Sequence, residues 1–177
     1  MNQADSKIEA PLVDECRKGS IKAQFRLYRQ YSKAMYNLAY RMMNNREDAE
    51  DILQEAFLDC FSNIETYRFE STFGAWLKKI LINKCINQLR KRKTDMILVD
   101  DLHEIIPEEE PEATYDTAKI FAGIEELPDG YRIILTLYLL EGYDHSEIAK
   151  ILGISESTSK SQYSRAKNKL RNILSNN

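Results

Sequence analysis

The stretch YDHSEIAKILGISESTSKSQYSRAKNKL, residues 143–170, decides the fold class. Asp144, followed three residues later by Glu147, has the pattern of a capping box, which opens a helix by satisfying two orphan backbone N–H groups reciprocally. Ala149 is small where two helices would cross, and Gly153, four residues on, suits a turn that needs a positive φ. Ser155 then supplies the N-cap of a following helix. The spacing predicts helices over about His145–Leu152 and Glu156–Leu174. That is the helix-turn-helix order, in which the second helix enters the major groove of duplex DNA. On this helix Ser157, Thr158, Lys160, Ser161, Gln162 and Arg165 offer donors and acceptors for base edges or phosphates. Lys167, Lys169 and Arg171 extend a cationic track suited to backbone phosphates. A plain αα-hairpin with a solvated basic face needs no such coincidence of cap, small residue, glycine and polar helix.

Upstream of this pair the pattern stays helical, with one helix near Ala118–Glu126 and another, opened by Pro128, over Asp129–Leu140. Before these, residues 94–118 hold nine acids and no base, together with Pro107 and Pro111. Self-repulsion and a lack of core residues predict an extended, mobile linker. Its Met96-Ile97-Leu98-Val99 patch is a candidate to dock elsewhere, and equally to stay undocked. The N-terminal part reads as three helices. Ser20 is a candidate N-cap, after which Ile21, Phe25, Tyr28, Tyr31, Met35, Leu38 and Met42 recur every three or four residues until Asn44-Asn45 breaks the pattern. A second helix runs from about Glu47 to Ile64 on a stripe of Ala49, Ile52, Leu53, Ala56, Phe57, Cys60, Phe61 and Ile64. Residues 65–71 (ETYRFES) have no period and read as a loop. A third helix spans roughly Thr72–Lys93, capped by Ser71 and ending in Arg90-Lys91-Arg92-Lys93. No strand pattern of useful length occurs. The expected fold is all-α: two small helical domains, 1–93 and 118–177, joined by a flexible acidic linker, 94–117, the C-terminal domain being a helix-turn-helix.

Composition narrows the function. The chain has 177 residues, 43% hydrophobic and 30% charged, enough for helical cores of one or two small domains. Six Gly and four Pro speak against loop-rich folds and Gly-rich nucleotide loops. The longest apolar run, Ile133 to Leu140, is too short to cross a bilayer, so no membrane insertion is expected. No basic segment followed by an apolar one opens the chain, and a cytoplasmic location is expected. Cys16, Cys60 and Cys85 are odd in number and widely spaced, and only His103 and His145 could join them. Reduced, buried thiols are therefore expected, with neither metal site nor cofactor. The net charge of −3 conceals a division. Residues 1–93 carry 17 bases and 12 acids, a net of +5, and 94–118 carry −9. Residues 119–177 carry 8 bases and 7 acids, yet from Lys150 onward six bases face Glu156 alone. Two basic pieces flank an acidic connector.

Two further faces carry chemistry. In the helix from Thr72, Trp76, Lys79, Asn83, Asn87 and Arg90 share one side, while Leu77, Leu81, Cys85 and Leu89 form a separate stripe for a core. An indole, amides and cations on one face suit unstacked single-stranded DNA: rings stack on bases, amides read their edges, cations hold phosphates. The preceding loop adds Tyr67, Arg68, Phe69 and Phe73. A domain core with a basic exit helix reads equally well from these residues alone. In REDAEDILQEAF, residues 46–57, Asp48, Asp51 and Glu55, with Asp59 beyond, align on one side. Adjacent like charges there cost about 0.2–0.5 kcal/mol per pair. A face kept at that cost suggests a basic protein partner, since it would repel DNA; simple solvation is the other reading. No nucleophile–His pairing or phosphate-cradling loop accompanies these carboxylates, so no enzymatic activity is expected.

The runs DAEDILQEAF, FESTFGAWLKKILINKCINQLRKRK and LPDGYRIILTLYLLEGYDHSEIAKILGISESTSKSQYSRAKNKLR resemble bacterial RNA polymerase sigma factors. More narrowly, they are similar to the extracytoplasmic-function (ECF) group, over about residues 10–93 and 118–172. The resemblance implies a dissociable initiation factor that binds core RNA polymerase, recognises the −10 and −35 promoter elements and helps melt the −10 region. It implies that Asp48, Asp51, Gln54, Glu55 and Phe57 dock on the clamp helices of the largest polymerase subunit. It implies that Asn83 and Asn87, with the loop around Tyr67–Ser71 and Trp76, trap flipped −10 bases while Arg90, Lys91, Arg92 and Lys93 hold the backbone. The helix over 156–171 would read the −35 duplex, and the linker would thread the RNA exit path. An anti-sigma protein is the group's usual regulator. Ser159, Gln162 and Tyr163 depart from the family pattern of Val, Arg and Leu. The alternative reading is a stand-alone helix-turn-helix regulator, which would not need the acidic 48–59 face.

Overall fold

The computed structural model describes residues 3–92 and 117–176, with side chains at 9–92 and 117–175. The described residues are helical, without strands, and the chain divides into two compact units, Met1–Arg92 and Lys93–Asn177. The linker, its Met96–Val99 patch, His103 and Lys93 lie outside the described residues.

The N-terminal unit holds four helices: α1 (Gln3–Arg17), α2 (Ile21–Met43), α3 (Arg46–Ser62) and α4 (Phe73–Lys91). Local chemistry sets most boundaries. Ser20 Oγ accepts from the Ala23 N–H, starting α2. Asn44, in the left-handed region at φ 49°, ends it, and Asn45 caps α3 through the Asp48 N–H at 3.0 Å. These two asparagines do opposite jobs because Asn both tolerates left-handed backbone and carries a capping oxygen. The start of α4 differs from expectation. Thr72, not Ser71, is its N-cap, accepting from Ala75 N at 3.2 Å, and the helix ends at Lys91. A single 3₁₀ turn over Ile64–Thr66 precedes the loop.

α1 was not legible in the sequence, since Pro11 interrupts it and its charges are mixed. It nevertheless supplies Leu12, Val13 and Cys16 to the core. The expected stripe of α4 is the centre of that core: Leu77, Leu81 and Cys85 are fully buried and Leu89 nearly so. In α2 the expectation holds only for the C-terminal half. Met35, Leu38 and Met42 are buried, but Ile21 is 79% and Phe25 58% exposed, with Ala23 and Leu27 buried in their place. Periodicity located an apolar face there, but not whether a neighbour covers it. The three cysteines are free and buried. Burial pushes Cys60 and Cys85 up to about 12 and Cys16 to about 11, which disfavours the reactive thiolate.

The C-terminal unit holds α5 (Thr117–Glu125), α6 (Asp129–Leu135), α7 (His145–Leu152) and α8 (Glu156–Asn176). The expected helix over 129–140 is divided. After Leu135 the backbone widens, and Glu141 N–H donates to Thr136 O at 3.1 Å, a five-residue step. Leu139 and Leu140 emerge from this wide turn exposed. α8 is the axis: Ala166 and Leu170 pack with Ile124, Leu127 and Leu135 from α5, α6 and the intervening turn. No described helix is long and apolar enough to cross a membrane.

Candidate functional site

In the C-terminal unit the helix-turn-helix forms as its caps dictate. Asp144 accepts from Glu147 N–H at 2.8 Å while the Glu147 carboxylate accepts from Asp144 N–H at 2.9 Å. The backbone hydrogen bond from Glu147 holds the Asp144 carboxyl below its ordinary range. Gly153 stands at φ 73°, where most side chains would be strained, and its N–H closes α7 on Ala149 O. Ser155 Oγ accepts from Thr158 N–H at 3.0 Å, starting α8.

α8 turns Ser157, Lys160 and Ser161 fully outward, with Thr158, Arg165 and Lys167 half-buried. Gln162 corrects the expectation, because at 3% exposure it faces the inside of the unit and cannot touch a groove unaided. Ser159 is likewise buried, and its hydroxyl meets His145 Nδ1 at 2.9 Å. The His145 ring stacks on Tyr138 at 4.5 Å and meets Tyr163 edge-on at 5.5 Å. Burial, then the nearby Lys160 charge, holds the His145 pKa below its ordinary value. The departures at Ser159 and Tyr163 thus form, with His145, a polar and aromatic seam between α7 and α8. Lys160 pairs with Glu156 at 2.7 Å on the exposed side.

In the N-terminal unit α4 exposes Lys79, Asn83, Asn87, Arg90 and Lys91, followed by its exposed C-cap Arg92, with Trp76 half-buried at its upper end. The loop before it is held from several sides. Tyr67 is buried, its hydroxyl donating to Ser71 O at 2.6 Å and its ring meeting Trp76 at 5.1 Å and Phe73 at 5.8 Å. Expected as a stacking surface, Tyr67 is instead the pin of the loop. Arg68 and Phe69 remain exposed. Phe69 adopts φ 58°, a left-handed conformation costing a non-glycine residue about 1–2 kcal/mol. The Arg17 guanidinium lies 5.1 Å from its ring centre and donates to Tyr67 O. Glu9, almost fully buried, accepts from the Tyr31 hydroxyl and from Phe73 N–H, placing a carboxylate at the N-terminus of α4. Gly74 leaves room for the Tyr31 ring, which a Cβ there would meet at 2.7 Å. Arg17 and Glu9 escaped sequence reasoning; their only signal was a charged pair in a segment without a recognised helix.

α3 presents Asp51, Gln54, Glu55 and Leu58 outward along one side. Leu58, 66% exposed, is an apolar residue out of phase with the buried stripe, and that phase error was the signal available in the sequence. Phe57 corrects the expectation of direct docking: it is 3% exposed and packs under Tyr28 and Phe61. The acids are partly answered within the unit. Lys84 of α4 pairs with Asp59 at 2.7 Å and Glu55 at 3.2 Å, and Arg92 pairs with Asp48. Burial lowers the Lys84 pKa, but hydrogen bonds to both carboxylates outweigh it and hold it above the ordinary value. Asp51 is the acid of this side with no ion pair among the described residues. A cleft of about 180 Å³ between α3 and α4 sets Asn87 and Lys91 beside Asp51 and Glu55. The amide face and the acidic face therefore adjoin along one groove.

Comparison with known proteins decides the family. Residues 27–94 match the model of Sigma-70 region 2, and residues 118–170 that of Sigma-70 region 4. The ECF RNA polymerase sigma factor SigW of Bacillus subtilis is 30% identical over 176 residues, covering 92% of this chain and 94% of SigW. This chain belongs to the ECF RNA polymerase sigma factors. SigE of Mycolicibacterium smegmatis is 32% identical over 84% of this chain, which spans 60% of that longer protein. The sigma factor RpoE of Bartonella quintana, solved in complex with the anti-sigma factor NepR, shares the fold, with a TM-score of 0.59 and 23% identity over 88% of this chain and 98% of RpoE. As a member of this family the chain is a DNA-binding factor for transcription initiation. The region 2 match supports a sigma factor over a stand-alone helix-turn-helix regulator, which would need no such region.

Proposed function

We propose that this sigma factor docks on the clamp helices of core RNA polymerase through α3, captures unpaired −10 bases on α4 and its preceding loop, and reads the −35 duplex with α8. Docking falls to Asp48, Asp51, Gln54 and Glu55, with Leu58 as an apolar contact and Phe57 supporting them from beneath. Base capture falls to Asn83 and Asn87, flanked by Trp76 and Phe69 for stacking and by Arg68, Lys79, Arg90, Lys91 and Arg92 for phosphates. Tyr67 acts by fixing the loop. On α8, Ser157, Thr158, Lys160, Ser161, Arg165 and Lys167 contact DNA, and Gln162 positions them from inside. Promoter opening then needs no catalysis by this chain: holding flipped bases lowers the free energy of the melted state. The acidic segment 94–117 links the two readers. An anti-sigma protein completes the set of partners, by analogy with RpoE, which was solved bound to NepR.

One observation carries this reading. α4 exposes Asn83 and Asn87 in line with its cations, its N-terminal end is preceded by a strained aromatic loop, and Asn87 and Lys91 share a groove with the acidic side of α3. Strain of this kind collects at working sites. Run-off transcription with core polymerase on a promoter library tests it. Addition of the chain should yield discrete start sites sharing two upstream elements, and Asp51→Arg with Glu55→Arg should abolish them. No start-site selection with core polymerase, alongside tight binding of duplex operators by the chain alone, would overturn the proposal.

A further inference from the structure

The first two turns of α2 expose a surface that neither the core nor the proposed docking and DNA faces use. Ile21, Phe25 and Tyr28, spaced i, i+4, i+7, form an apolar ridge, with Ile21 79%, Phe25 58% and Tyr28 36% exposed. Beside it Lys22, Arg26, Arg29 and Lys33 form a second, exposed ridge of the same pitch, and α2 contains no acid. Among the described residues, bases such as Arg17, Arg46, Lys84 and Arg92 take part in ion pairs of this unit, and the four bases of the second ridge do not. Arg29 lies 5.9 Å from the centre of the Phe25 ring, and Tyr28 rests on Phe57 at 4.8 Å, so the apolar ridge is held in place before anything binds.

We infer that this double ridge is a docking surface for an acidic amphipathic helix of a protein partner. The apolar spacing matches the anchor pattern of helix-on-helix recognition, and the basic ridge calls for carboxylates along one flank of the incoming helix. A partner that docks on α3 must be basic to meet Asp51 and Glu55, so it would be repelled here. The two sides of the unit therefore select different partners. Nucleic acid fits less well, because the most exposed member of the ridge is aliphatic, and Ile21 offers neither a stacking plane nor a hydrogen bond to a base.

The test uses the full chain and a fluorescein-labelled, lactam-stapled peptide with leucines at i, i+4, i+7 and glutamates along one flank. Anisotropy should show saturable binding that weakens at least about tenfold in Ile21→Ser with Phe25→Ser. It should weaken similarly, with a flatter salt dependence, in Arg26→Ser with Arg29→Ser. A peptide with lysine in place of glutamate should not bind, and the ridge variants should still co-purify with core polymerase. Circular dichroism of each variant confirms that the helices persist, which is expected because all four positions are exposed. Several results would overturn the inference: no saturable binding, affinity indifferent to the ridge variants, or competition by oligo-dT as effective as by unlabelled peptide. So would ridge-dependent self-association in sedimentation, or loss of polymerase binding in the ridge variants. Because the peptide assay contains no polymerase, its failure leaves the transcription result untouched.

Discussion

The two units use their polar residues in opposite ways. In the N-terminal unit, Glu9 apart, the amides and charges of the described residues stand outside a hydrocarbon core, and α4 separates its faces cleanly: Leu77, Leu81 and Cys85 are fully buried, Asn83 and Asn87 exposed. In the C-terminal unit, polar side chains enter the interior. Ser159 and Gln162 of α8 are buried, and Arg132 sits inside donating to Leu127 O at 2.9 Å and pairing with Asp129. A polar residue on a recognition helix is thus not by itself a base-reading residue. Its phase against the helix partners decides, and α8 has partners on several sides.

That contrast can be broken by substitution. The largest effect belongs to the hydrocarbon core: Leu81→Ala should cost the N-terminal unit about 2–5 kcal/mol, seen as a lower unfolding midpoint by calorimetry. The transition of the C-terminal unit should stay in place, and a shift of both would mean that the two fold as one.

Next come the amides. Gln162→Ala should destabilise the C-terminal unit by about 1–3 kcal/mol, because it takes a buried side chain out of the packing around α8. Asn83→Ala with Asn87→Ala should leave urea unfolding within about 0.5 kcal/mol of the parent while abolishing permanganate reactivity of the −10 region. Equal stability losses in the two variants would erase the distinction between buried and exposed amides.

Acid offers a sharper comparison, since the N-terminal unit contains no histidine. The folded state of the other unit holds His145 below its ordinary pKa, through burial first and Lys160 second. The unfolded chain therefore takes up the proton first as pH falls through about 6.5. Stability of the C-terminal unit should be full above that value and decline below it, and His145→Phe should flatten the dependence between about pH 7.5 and 5.5. A parallel decline in the N-terminal unit would assign the effect elsewhere. Apart from the exposed amides, the smallest stability change is expected from Lys84→Gln, whose two partners are largely exposed, at no more than about 1 kcal/mol.

How much of this was legible depended on distance along the chain. α7, the turn and the start of α8 could be read residue by residue, because Asp144, Glu147, Gly153 and Ser155 act within four positions of themselves. The amide face of α4 was equally readable, since a helix arranges its own faces. What could not be read were relations between distant segments. Lys84 answering Glu55 and Asp59, Arg17 over Phe69 and Glu9 beneath Phe73 each join residues far apart in sequence. For the same reason Ile21 and Phe25 looked like core: their period is right, and only the fold reveals that no described residue covers them. Gln162 failed in the opposite direction, a polar side chain that the packing of α8 turned inward.

The Glu9 carboxylate ties the head of α4, the helix proposed to capture bases, to a point 64 positions upstream. Shortened variants that begin after it would keep every residue proposed to touch promoter or polymerase, yet leave the Phe73 amide and the Tyr31 hydroxyl without their acceptor. In such variants the threshold of the reading helix would fray first, and weakened promoter opening would be misattributed to the DNA-facing side chains when the fault lay in a lost doorstop at the other end of the domain.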